Sequence, residues 1–338
     1  MCLRSNAGSV HNNTPHEWGA TPVTPVDHFL LTFLFMRTLL LAVGLMAVLP
    51  SASACDVCGC SIGGNYFGIL PQFHRNFVGL RWTQQSFRSA HLPSDARAGR
   101  YDSEEYFQTA DLLGRFYLLP RLQLFTLVPW HDFSRLEAGR KLQSHGLGDA
   151  SVVGNFILLN TGDSLSRKWR HTLTIGGGVK LPTGAHSLKN NEGELLHANM
   201  QPGSGSTDVV LLASYTLRRG SWGCTADLMG RINKPNRDGY QFGHRANGAF
   251  KVFYWKNIRS VTLLPNAGVF ADYSLQNWNG SHYEAGTGGM LALATLGLDV
   301  YLGRFSLGVN IQPPVYQHLG EGSIRANTRT TATANFIF

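Results

Sequence analysis

Three cysteines stand within six positions, Cys55, Cys58 and Cys60 of "CDVCGC". A C-x-x-C-x-C spacing lets one ion take two or three thiolates, and thiolates favour soft ions such as copper(I) or zinc(II). Gly59, Gly63 and Gly64 leave the backbone free to wrap around it. A free amino group on Cys55 would add a nitrogen ligand. The same residues serve two other chemistries. A pair could close a disulfide in an oxidising compartment, or Cys55 could carry a lipid. Cys224 is a poor partner for any of them, because it shares a strand face with Ala226 and Leu228. Spacing alone leaves all three readings open.

Other chemistry-bearing residues are less concentrated. His186, His197 and Met200 fall in one long polar stretch and His282 in another. Their irregular spacing reads as solvated loop more readily than as a metal site. Ser and His are plentiful, but no nucleophile motif is present. "GSGST" (Gly203–Thr207) reads as a flexible loop end, and the chain is expected not to be an enzyme. The formal net charge of +8 raises nucleic acid as a partner. The Lys and Arg residues are scattered singly, however, with no basic stretch interleaved with aromatics, so no nucleic acid is expected.

The elements that must position these groups begin with an address. Residues 29–50 are apolar apart from Arg37. A charge in the middle of a spanning helix is costly. Counted from Met36, "MRTLLLAVGLMAVLPSASA" has the parts of a secretory signal: basic Arg37, an apolar run Leu39–Leu49, helix-breaking Pro50, and the small-x-small site Ala52-Ser53-Ala54. Residues 1–35 then read as a non-native or disordered extension, 36–54 as a signal peptide, and Cys55 as the first mature residue. Lipoprotein signals normally carry Leu three positions before the Cys, where this chain has Ala52.

After residue 50 no apolar run reaches the roughly 18 residues of a spanning helix. Charged residues make up 15% of the chain, against about a quarter in an ordinary soluble domain. From Asn76 onward the sequence falls into segments with period two, the signature of strands with two different environments. Val78, Leu80 and Trp82 alternate with Gly79, Arg81 and Thr83, and Leu307, Val309 and Ile311 with Ser306 and Asn310. Connectors alternate short (near Pro120, Gly220, Lys256 and Gly303) with long (88–105, 135–146, 183–206, 275–286 and 318–325). Only the connector around Asp163–Arg170 is longer than the scheme predicts. This pattern predicts an all-β, transmembrane, antiparallel up-and-down β-barrel of about twelve strands over 76–338. Segment 55–75 becomes a Cys-rich periplasmic lead.

An even strand count puts both ends of the barrel in the periplasm of a bacterial outer membrane. The last segment, with Phe336 and Phe338 at alternate positions, reads as the signal for the barrel-assembly machinery. Apolar residues then face outer-membrane lipid. Arg81, Arg115, Lys180, Arg231, Arg245, Lys251 and Arg329 share the inward face with Asp111, Asp149, Asp227, Asp272 and Asp299. They form either a salt-bridged interior or a polar pore with a slight cationic bias.

Two stretches carry a resemblance. "HGLGDASVVGNFIL" (His145–Leu158) and "GGGVKLPTG" (Gly176–Gly184) resemble the paired Gly-x-Gly-Asp and Pro-Thr-Gly signatures of an outer-membrane transporter family named for the meta-pathway of phenol degradation. The resemblance runs from about Asn76 to Phe338. It implies a barrel passing small molecules, hydrophobic ones among them, and it supplies no catalytic residues. The cysteine-rich start is atypical for that family. Both motifs also have plain structural readings: Gly146, Gly148 and Asp149 at a loop-to-strand junction, and Pro182-Thr183-Gly184 at a strand end. The expected function is a channel or transporter for small-molecule substrates, coupled to copper or zinc capture at the cysteines. The alternatives are a non-transporting scaffold that docks a periplasmic metal or redox partner, and an outer-membrane enzyme.

Overall fold

The computed structural model describes residues 75–91, 101–137, 139–161 and 168–338. The three cysteines of segment 55–75, the signal peptide and the N-terminal extension lie outside the described residues.

Twelve antiparallel strands follow one another around a closed barrel. They are β1 (Phe77–His91), β2 (Tyr101–Leu119), β3 (Leu122–Glu137), β4 (in two segments, Arg140–Leu147 and Ser151–Asn160), β5 (Trp169–Lys180) and β6 (Asp208–Arg219). There follow β7 (Trp222–Ile232), β8 (Arg245–Tyr254), β9 (Val261–Ser274), β10 (Gly289–Leu302), β11 (Phe305–Gln312 with Pro314–Leu319) and β12 (Ile324–Ala326 with Arg329–Ile337). Each strand pairs with its sequence neighbour. Closure comes from β1 on β12, where Phe77 lies opposite Ile337 and Gln84 opposite Thr330. Asn76 and Phe338 add a reciprocal pair of backbone hydrogen bonds at 3.0 and 2.9 Å. The main ladder thus closes on itself, the condition a sheet must meet to cross hydrocarbon.

The period-two pattern sorts side chains between two faces. On β11, Leu307, Val309 and Ile311 are about half exposed, whereas Ser306, Asn310 and Gln312 are buried. The same inversion of a soluble protein's order recurs on β1, where Leu80 is exposed and Arg81 buried. The outer face forms a continuous apolar belt. Trp169, Trp222, Phe305, Phe336 and Phe338 are exposed toward the end where the barrel's termini meet, and Tyr106, Trp130, Tyr273 and Tyr316 further along the strands. Aromatic girdles at both edges of an apolar band are the mark of a lipid-spanning barrel.

Glycines on the inner face leave room for neighbouring polar side chains to lie flat on the sheet. A Cβ at Gly79 would fall 1.9 Å from Asn335 Oδ1, and one at Gly297 would fall 2.2 Å from Asn310 Oδ1. The long strands are interrupted where proline removes a donor. Pro313 divides β11. Residues 148–150 bulge from β4 opposite Pro129, whose carbonyl still accepts from Gly148 N at 2.9 Å.

The two ends differ in their connectors. At the end where the termini meet, the hairpins at Pro120, Gly220 and Gly303 are tight. At the far end, 181–207, 233–244 and 275–288 are long. Two expected long connectors are shorter than predicted: 318–325 reduces to 320–323, and 135–146 is strand. β3 and β4 pair from Trp130↔Leu147 up to Glu137↔Arg140 and turn at Gly139, whose φ is +79°. Those rows lie beyond the apolar belt, so polar residues occupy both faces and period two loses its contrast. Connector 233–244 escaped the sequence scheme.

An arginine on the outer face at mid-belt should be expelled by lipid. Leu228, 65% exposed on β7, is such a position. Leu228→Arg is expected to lower unfolding free energy in lipid vesicles by about 2–4 kcal/mol, and Leu228→Ala by much less. Urea titration followed by tryptophan emission reads both.

Candidate functional site

The inner face of the barrel is stacked in tiers. Nearest the termini, Phe77, Leu113, Leu127, Phe253, Leu264, Tyr301 and Ile337 form a buried apolar cluster. Toward the far end, Phe87, Phe107 and Phe133 pack edge to face, with ring centroids 5.8 and 4.9 Å apart. They join Phe270, Leu291, Leu293, Leu319 and Ile324 in a second cluster. Charged and amide side chains occupy the level between.

The charged side chains at this level fall into several groups. Arg81 and Asp111, opposite each other on β1 and β2, form an ion pair at 2.7 Å with both side chains 3% exposed. Arg245 Nε donates to both oxygens of Asp272 at 2.7 and 2.9 Å. Arg329 donates to Gln312 Oε1 at 2.8 Å and stacks over Phe270. Asp299 accepts from Asn266 at 3.1 Å, and Asp227 from Ser214 at 2.5 Å. Arg115 sits between the Phe77 and Tyr117 rings, and Arg231 is half-buried. Lys251 and Asp299 border a cavity of about 40 Å³, with Arg81, Thr83, Asn310 and Arg329 around it. That volume holds a few waters.

Asp149 and Lys180 leave this belt for a centre of their own. Lys180 Nζ lies 2.7 Å from Asp149 Oδ2 and 2.6 Å from Asp208 Oδ2, all three side chains being 7% exposed or less. Asp149 also accepts from Ser204 Oγ at 2.6 Å, Ser204 N at 2.9 Å and Gly184 N at 3.1 Å. Ser206 Oγ and Lys234 N supply Asp208 Oδ1 at 2.9 and 3.0 Å. Thr183 Oγ1 donates to Gly148 O and accepts from Ala150 N, both at 2.8 Å. The two short motifs and "GSGST" therefore meet in one buried ion centre. This overturns the reading of "GSGST" as a flexible loop end: Ser204 and Ser206 are 8% and 3% exposed. The physical reason is that a lysine between two buried carboxylates needs further donors to satisfy their lone pairs.

The centre holds the neck of loop 181–207. Gly184 and Gly203 touch backbone to backbone, since a Cβ on Gly203 would lie 2.4 Å from the Gly184 carbonyl carbon. Beyond the neck the loop folds on itself. The Gln201 amide bonds Leu188 N, Leu188 O and Leu196 O at 2.8–3.0 Å. Leu196 and Met200 then enter the phenylalanine cluster, with Met200 fully buried. Met200 is thus packing, and is not an external metal ligand. His197 is exposed, and His186 lies 3.8 Å from Asp238. Among the described residues no group of three His, Cys, Asp or Glu side chains could hold a metal. Ser281 and His282 are 3.0 Å apart but are sequence neighbours on an exposed turn. Sequence reading missed Asp208, Ser204 and the buried bridge of Arg135 to Glu105 (3.3 Å) and Glu137 (2.9 Å). The "SGSTD" that ends the loop, Ser204–Asp208, is the sequence signal that marks the first two.

A closed twelve-strand barrel, apolar outside and charged within, is a membrane-spanning barrel of the bacterial outer-membrane type. The fold is similar to that of an outer membrane channel from Pseudomonas putida F1, with a TM-score of 0.55, 14% identity, and coverage of 86% of this chain and 100% of that one. More distant are the β domain of the Bordetella autotransporter BrkA (TM-score 0.42, 13% identity, 78% and 99% covered) and the translocator domain of the autotransporter NalP from Neisseria meningitidis (0.36, 12%, 78% and 88%). No family model matches the sequence, and no curated protein matches it.

Removing the cation from the ion centre leaves two carboxylates buried together. Lys180→Met is expected to destabilise the folded barrel by about 3–5 kcal/mol. Adding Asp149→Asn and Asp208→Asn should restore a good part of that loss. Urea midpoints of the single and triple variants compare the two.

Proposed function

We propose that the protein is a channel for small molecules in the bacterial outer membrane, closed at rest by loop 181–207. The observation that carries this reading is the loop itself: a plug seated in the lumen on a phenylalanine cluster and tethered at its neck by the Asp149–Lys180–Asp208 centre. The likeness in fold to a Pseudomonas outer membrane channel supports the same reading. The end where the barrel's termini meet faces the periplasm, because tight turns lie there and long loops opposite. Residues 36–54 direct export, and the segment ending in Phe336 and Phe338 is read by the barrel-assembly machinery. The solute is small and partly apolar, in keeping with the aromatic far-end tier and with the resemblance to transporters named for phenol degradation. The site carries no catalytic role.

The packed lumen favours one second reading, a barrel that conducts nothing and serves as a scaffold for a periplasmic partner. Planar bilayers separate the two. The touching glycines allow residues 185–202 to be removed and Gly184 joined to Gly203 without disturbing Ser204 or Asp149. Wild-type protein is expected to show brief, small openings, and the deletion a steady conductance several-fold larger. A deletion variant that folds and stays silent would leave the scaffold reading standing.

Cys55, Cys58 and Cys60 are proposed to capture copper(I) or zinc(II) at the periplasmic mouth. Metal titration of the full chain, against a variant with all three changed to Ser, tests this. The wild type should bind at least about tenfold tighter, and equal affinities would end the proposal.

A further inference from the structure

The end where the termini meet holds a recess apart from the ion groups of the lumen. Its volume is about 760 Å³, and Lys168, Arg170, Arg218, Arg219 and Lys256 line it together with Trp255. Among the described residues, none that lines it is acidic. Five cations with no carboxylate among the described residues around them contrast with the belt above, where Arg81 and Arg245 each have an aspartate.

Strand alternation decides which way the cations look. Arg170 shares the face of Thr172, Thr174 and Lys180, all buried inside the barrel. Arg218 shares the face of Ser214, which bonds the inward Asp227. Trp255 packs on the apolar cluster nearest the termini. These groups therefore border the mouth of the lumen. They are also held in place. Arg218 lies 3.8 Å above the Trp255 ring, and its Nε donates to Gly220 O at 2.9 Å. Trp255 is fixed by its own backbone N to Ser221 O (2.6 Å) and its Nε1 to Asn257 Oδ1 (2.8 Å). A guanidinium stacked on an indole keeps its outer N–H groups directed outward, the arrangement that suits planar, bidentate recognition of carboxylate or phosphate.

We propose that this mouth is a binding site for small soluble oxyanions, phosphates and carboxylates, with Arg170 and Arg218 as the principal contacts and Lys168 supporting them. The proposal deepens the channel reading and rests on it for its role: the site would concentrate anions at the periplasmic mouth and make the pore anion-selective.

The probe is inorganic pyrophosphate, titrated calorimetrically into the folded full chain in neutral detergent. Wild-type protein should bind it, and binding should weaken as salt is raised. Arg170→Gln with Arg218→Gln should weaken it by at least about tenfold, with Arg170→Gln alone giving a smaller loss should the double variant not fold. Lys141→Gln, an exposed cation at the far end of β4, should change nothing. Equal affinity in wild type and double variant overturns the proposal. So does loss of pyrophosphate binding when the protein is moved into nanodiscs of anionic phospholipid but not zwitterionic ones, because the recess would then hold a headgroup. In bilayers, the reversal potential of the loop-deleted channel in a potassium chloride gradient should lie on the anion side and shift toward zero in the double variant. Pyrophosphate binding with no conductance from any variant would sink the channel reading and leave this site standing. Conductance without pyrophosphate binding would do the reverse.

Discussion

A backbone N–H or C=O in hydrocarbon has no water to turn to, and every other feature of this barrel follows from meeting that demand. The ladder from β1 round to β12 satisfies the groups between strands, and the reciprocal bonds of Asn76 and Phe338 carry the seam to its last residue. Once the sheet is closed, one face of every strand must be apolar toward lipid. The polar half of each period has only the lumen to occupy. Low overall charge and buried Arg81, Lys251 and Arg329 are thus two results of one constraint.

Charges forced inward must then be neutralised where they stand, because a lone buried ion costs several kcal/mol. Adjacent strands supply the remedy through register. Arg81 faces Asp111 across one rung, and Arg245 meets Asp272, one strand over on β9. Where a rung cannot supply enough donors, a loop does. Asp149 leaves the ladder because Pro129 offers no N–H, and it collects Lys180, Ser204 and the Gly184 amide instead. The proline interruption, the ion centre and the inward course of loop 181–207 are one linked device.

This also explains what could be seen in the sequence. Period two was plain wherever lipid enforced it, as in Leu307, Val309 and Ile311, and so the strand number and the faces of Arg81, Asp227 and Lys251 could be read directly. Contrast faded where both faces meet water, which is why Arg140–Leu147 looked like a loop. It failed altogether for the plug. Leu196 and Met200 are isolated apolar residues in a polar stretch, and only a tertiary partner, the phenylalanines of β1, β2 and β3, gives them meaning. "GSGST" misled for the same reason: its serines look like linker until Asp149 and Asp208 arrive from strands 55 and 2 residues away in sequence.

The two halves of the lumen answer different needs. The far half is apolar and occupied, so a solute arriving there displaces side chains that already pack well, at a cost that scales with the contacts broken. The half toward the termini ends in a group of cations around the recess at Trp255. Under the channel reading proposed above, loop 181–207 over a charged mouth sets a direction of difficulty. In the channel proposed above, opening would come from weakening the hold on the loop neck, which one lysine between two aspartates supplies. A solute or partner that competes for Lys180, or that offers Leu196 and Met200 another apolar surface, would act at the one place where loop and wall are joined.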